Sequence, residues 1–113
     1  MSSFRSGNFE FALDREGASV DDHETIELDV DYETVGIDPD EAPEQIGRRL
    51  STLLTTEVVD EEGIFDLIVR EEGRIVAALV IACEEDAIAL GGERVSGIDD
   101  ETIASALVDA LRG

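Results

Sequence analysis

"IFDLIVREEGRIVAALVIAC", residues 64–83, sets two β-branched apolar runs on either side of Glu71, Glu72 and Gly73. The spacing predicts a hairpin closed by a short turn, because tight turns between strands need positive φ and glycine supplies it. The second run, 75–83, is apolar at every position. Side chains alternate across a strand, so Ile75, Ala77, Leu79, Ile81 and Cys83 are expected on one face and Val76, Ala78, Val80 and Ala82 on the other. Neither set is polar, so both faces of this strand require cover.

Downstream, "DAIAL" (86–90) either extends that strand or adds a short one, and "GGERVSG" (91–97) reads as a glycine-rich turn with Arg94 exposed. "IDDETIASALVDALRG" (98–113) then carries the marks of a helix. Asp99 is the N-cap, acids fill the first turn, Ile98 is placed to staple onto Ile103, and Arg112 with Gly113 close the end. Ile103, Ala106, Leu107, Ala110 and Leu111 form its apolar face.

Upstream, Pro43 suits the first turn of a helix over about 43–57, where Ile46, Leu50, Leu53 and Leu54 recur on one side. Before it, "NFEFALD" (8–14) and "TIELDVDYETV" (25–35) both alternate with period two. With "REGA" (15–18) as a turn and Gly17 free to take positive φ, the two are expected to form an antiparallel hairpin. Residues 1–7 are expected to be a flexible lead. The order β-β-α-β-β-(β)-α predicts one α+β domain over 1–113: a two-layer, mostly antiparallel sheet of four to five strands with two helices. This element order is similar to that of small α+β secretion-chaperone folds.

Charge sets the chain apart. It holds 29 acids against 8 bases, a formal net charge of -21, and all eight bases are arginine. Because 42% of the residues are apolar and grouped in periodic blocks, the expectation is a folded core inside an acidic shell. This composition resembles that of proteins from salt-in halophiles, chiefly haloarchaea, whose cytoplasm holds molar potassium chloride. The physics fits: like-charge repulsion reaches about 10 Å at 0.1 M salt but only about 3 Å at 1 M. Neither an 18-residue apolar run nor a signal-peptide pattern is present, so a cytoplasmic protein without a membrane partner is expected.

The acidic set Glu27, Asp29, Asp31 and Glu33 suggests a cation site, and the geometry argues against it. Alternate residues on a strand stand about 6.8 Å apart, whereas calcium gathers six to eight oxygens at about 2.3–2.6 Å from a curled loop. The nearest loop motif, starting at Asp29, puts Thr34 where the turn needs glycine. Only loosely held hydrated cations are expected on this surface. His23, the single histidine, has no second histidine to complete a ligand set and reads as a loop or strand-edge residue. Cys83 precedes Glu84, Glu85 and Asp86, a setting that disfavours a thiolate, and reads as structural. "LGGERVSG" (90–97) lacks the lysine of a phosphate loop, and Arg48 with Arg49 and Arg70 with Arg74 make too small a basic patch for nucleic acid. No catalytic, metal or cofactor residue is assigned.

Two helices cover one face of a sheet. The second face of the apolar strand, at Val76, Ala78, Val80 and Ala82, is therefore expected to be an association surface, making the protein a non-catalytic interaction module that self-associates as a homodimer and binds an unidentified protein partner. The alternative is a small-ligand binder or enzyme using Glu84, Glu85 and Asp86 at the end of the central strand.

Overall fold

The structure, a computed structural model, describes residues 2–58 and 63–112. In chain order the elements are β1 (Ser3–Ser6), β2 (Phe9–Leu13), β3 (His23–Val30), the single helical turn α1 (Tyr32–Val35), α2 (Ala42–Leu54), β4 (Ile64–Glu71), β5 (Arg74–Cys83), β6 (Ile88–Val95) and α3 (Asp100–Arg112). The strands make one antiparallel sheet in the order β1-β2-β4-β5-β6-β3. The α+β class is as expected, while six strands exceed the expected four to five.

The hairpin at the centre is the one read from residues 64–83. β4 pairs with β5, and Glu72 and Gly73 take φ of +53° and +81°, the twist that a two-residue turn needs. The additional strand comes from the lead. Phe4 stacks on Phe11 with ring centroids 5.1 Å apart, and the Ser6 hydroxyl donates to the Ala106 carbonyl at 2.6 Å. These contacts lay residues 3–6, part of the lead, along the edge of β2 as a strand.

The expected hairpin between the first two alternating stretches does not form. β2 lies between β1 and β4, whereas β3 is the far edge strand, paired with β6. Alternation tells which faces a strand shows and says nothing of its neighbour. The connection is redirected at Asp14, whose carboxylate accepts from the N–H groups of Glu16, Gly17 and Ala18, with Gly17 at φ +72°. The acids of β3 suit its place, since charge on an edge strand discourages further pairing.

β3 also stops at Val30. Tyr32, expected on the strand, opens α1, which Gly36 ends in the left-handed conformation at φ +74°. Conversely, "GGERV" is strand where a turn was expected: β6 runs through Gly91 and Gly92 between β5 and β3. Gly92 has φ +108°, and a Cβ there would run into the Ala78 carbonyl oxygen of the neighbouring strand. Glycine at this position lets the backbones approach; it does not mark a loop.

Both long helices fall within a few residues of expectation. α2 follows a short 3-10 turn, Pro39–Glu41, and Asp99 caps α3 by accepting from the Glu101 N–H at 3.1 Å. Gly113, expected to close α3, lies outside the described residues. Ile46, Leu50 and Leu54 of α2 and Ile103, Leu107 and Leu111 of α3 are buried in one core with Phe11, Phe65, Leu67, Leu79, Ile81, Leu90 and Ile26 of the sheet. Those strand residues share one parity, so the helices occupy one face of the sheet. No helix among the described residues is long and apolar enough to cross a membrane.

Candidate interaction face

The opposite face is built from the register. Across β4, β5, β6 and β3 one row reads Ile64, Ala82, Ala89, Asp29; the next Asp66, Val80, Gly91, Glu27; the next Ile68, Ala78, Glu93, Thr25. The middle of this face is therefore small and apolar, at Ala78, Val80, Ala82, Ala89 and Gly91, all half-buried. Ile64, at one end of it, is 44% exposed and is the one large apolar side chain that stands exposed among the described residues.

Val76 does not belong to this face, although alternation places it there. Val69 pairs with Ala77 and Arg70 with Ile75, so β5 carries one extra residue, Val76, in a β-bulge. Ile75, sharing the face of Arg70, turns to the open side, and Val76 is 0% exposed within the core cluster. The face thus keeps Ala78, Val80 and Ala82 of the expected set, and gains Ile75, Ile68 and Ile64. Nothing in the sequence announces the bulge, because Ile75, Val76 and Ala77 are equally at home on either side.

Charge borders the small apolar residues on both sides, with Asp66 opposite Val80 and Glu93 opposite Ala78 in the same rows. On β3, Glu27 and Asp29 stand opposite Gly91 and Ala89, so no carboxylate faces another directly across the β3–β6 pair at these positions. Glu24 faces Arg94, and their side chains meet at 2.9 Å. Arg94, expected on an exposed turn, is a strand residue whose side chain is only 16% exposed and which also donates to the Ile98 carbonyl at 2.7 Å. His23 begins the edge strand, its Nε2 3.4 Å from the Glu93 carboxylate and its Nδ1 3.0 Å from the Val20 carbonyl oxygen.

One end of the face is covered by the chain itself. Residues 14–19, from the connection between β2 and β3, border a hollow of about 750 Å³ together with Ala12, Ile68, Arg70 and Ile75. Ala12 has the open-face parity yet is only 4% exposed. The expected uncovered face is therefore closed by its own connection at this end and open over Ala78, Val80, Ala82 and Ala89.

The other sequence candidates stay apart from this face. Glu84, Glu85 and Asp86 are exposed between β5 and β6, and the Tyr32 hydroxyl donates to the Glu84 carbonyl beneath them. Burial raises the Tyr32 pKa above its ordinary 10.0, and charge on Cys83 and Glu84 adds to the rise. Among the described residues no group of three or more His, Cys, Asp or Glu side chains is placed to hold a metal ion. Arg48 lies 3.7 Å from the Glu44 carboxylate, and Arg49 donates to three main-chain carbonyls.

Comparison with protein-family models, with curated proteins and with solved structures finds no match. The reading of the face rests on its own chemistry.

Proposed function

We propose that this protein is a small interaction module, adapted to high salt, that pairs with a second copy of itself through the open sheet face. The carrying observation is the run of apolar positions Ile64, Ala82, Val80, Ala78 and Ala89, with the exposed Ile64 at its end. Small side chains leave a flat floor, which suits the close face-to-face packing of two sheets about 10 Å apart.

The acids of β3 support a salt-dependent association. Glu27 and Asp29 lie on the edge strand, at the rim of the apolar floor, where a second copy would bring like charges together. At about 1 M salt that repulsion is screened within about 3 Å and the apolar contact remains. Three strands by three alternate positions, of which Asp66 and Glu93 are two, span on the order of 300 Å². A standard interface buries about 800 Å² on each partner, so the pair is concentration-dependent and draws in its rim. Sedimentation of the full chain over a range of protein concentrations at about 2 M KCl tests this. Mass rising from one chain towards two supports the reading, and a monomer at every concentration refutes it.

A further inference from the structure

The hollow beside Arg70 is a separate feature, at the end of the face that residues 14–19 close off. Its volume of about 750 Å³ falls within the range of small-ligand sites, about 300–1,000 Å³. Its floor is apolar, made by Ala12, Ile68 and Ile75. The β5 bulge is what brings Ile75 there: without the extra residue, Ile75 would point into the core and Val76 would stand beside Arg70.

Arg70 is half-buried against this floor, and its guanidinium makes no hydrogen bond or ion pair among the described residues. The contrast with the other half-buried arginines is sharp. Arg49 donates to three carbonyls, and Arg94 to a carbonyl and a carboxylate. Glu10 stands across from Arg70 in register without pairing with it, and the Asp14 carboxylate is spent on the N–H groups of residues 16–18. Arg15 borders the same hollow and is also unpaired among the described residues; Glu16 is exposed at its rim. A guanidinium without a partner among the described residues, beside an apolar floor, offers its N–H donors to an outside anion.

We infer that this hollow binds a small amphipathic anion, a carboxylate or sulfonate on an apolar ring or branched chain. The planar guanidinium of Arg70 takes the anionic group through two parallel N–H bonds, and the apolar body lies on Ile68, Ile75 and Ala12. Arg15 adds a second positive charge at the mouth.

The probe is 8-anilinonaphthalene-1-sulfonate, titrated by fluorescence into the full chain at about 2 M KCl, with its uncharged parent N-phenyl-1-naphthylamine alongside. One saturable site is expected, which Arg70→Gln weakens about tenfold and which the uncharged probe fills correspondingly less well. Thr52→Asp, on the exposed side of α2 and outside the lining of the hollow, leaves it unchanged, and a native circular dichroism spectrum is required of each variant. If Arg70→Gln does not fold, Arg70→Lys, keeping the charge but losing the planar fork, is expected to fall between. Equal binding by the arginine variant, equal binding of the uncharged probe, loss on Thr52→Asp, or no saturable site in the native protein each overturns the inference.

Discussion

The Arg49 guanidinium donates to the Leu111 carbonyl at 2.7 Å, tying the middle of α2 to the last turn of α3. The same group donates to the Val35 carbonyl at 3.0 Å and the Gly36 carbonyl at 3.2 Å, at the end of α1. One cation thus meets the negative ends of two helices, where the last carbonyls lack intrahelical partners. Arg49→Met, which keeps the stem and removes the donors, should lower stability by about 2 kcal/mol. Arg49→Lys should recover only part of that, because an ammonium cannot fork to three acceptors. Arg48→Ala, removing an exposed pair with Glu44, should stay within about 0.5 kcal/mol. Urea unfolding at high salt checks all three.

Gly91 and Gly92 are neighbours with opposite tolerances. A Cβ on Gly92 meets the Ala78 carbonyl on a backbone of positive φ, whereas the nearest atom to a Cβ on Gly91 is the Ile26 carbonyl oxygen at 3.9 Å. Gly92→Ala should cost more than about 2 kcal/mol, and Gly91→Ala should lie within about 0.5 kcal/mol of the parent, read from the same unfolding curves.

Tyr32 is the single tyrosine of a chain without tryptophan, so absorbance at alkaline pH reports on it alone. Its titration midpoint should lie above 10.0 in the folded protein and return to the ordinary value in urea. The sign follows from burial of the neutral hydroxyl: the unfolded chain loses its proton first. This contribution to stability is therefore intact below pH 10 and declines as pH rises towards the folded-state midpoint. Tyr32→Phe should remove that part of the decline while costing about 1 kcal/mol at neutral pH for the lost bond to Glu84.

Among the described residues two arginine–carboxylate pairs are formed, Arg48–Glu44 and Arg94–Glu24, and the His23 ring lies 3.4 Å from the Glu93 carboxylate. That leaves most of the described carboxylates to be screened by the solvent. Far-UV circular dichroism should hold in molar KCl and collapse on dialysis below about 0.2 M, and a spectrum unchanged at low salt would contradict the screening argument.

The elements best read from the sequence are those whose signals are local. Ile46, Leu50 and Leu54 mark α2, Asp99 marks the start of α3, and Glu72-Gly73 marks the central turn. The errors lie where a distant partner decides. Strand alternation in β2 and β3 carried no information that β1 and β4, not β3, would flank β2. The role of Gly92 depends on a carbonyl of β5, fourteen positions earlier in the chain at Ala78. Tyr32 kept the period of a strand but sits in a helical turn set by Gly36. On the open sheet face, the positions of Ala78, Val80 and Ala82 are readable from parity, while that of Val76 is not, because a bulge flanked by apolar residues leaves no trace in composition. The hollow was invisible for the same reason: it joins residues 14–19 to Arg70 and Ile75 through the fold alone.

The measurement that bears most directly on the interaction face is sedimentation equilibrium of the native chain beside Val80→Asp, with Thr52→Asp on the exposed side of α2 as a charge-matched control, all at about 2 M KCl. A charge at the centre of the apolar floor should hold the Val80 variant at the mass of one chain, while the native protein and the Thr52 variant approach two as concentration rises. Identical masses for all three chains would contradict the account.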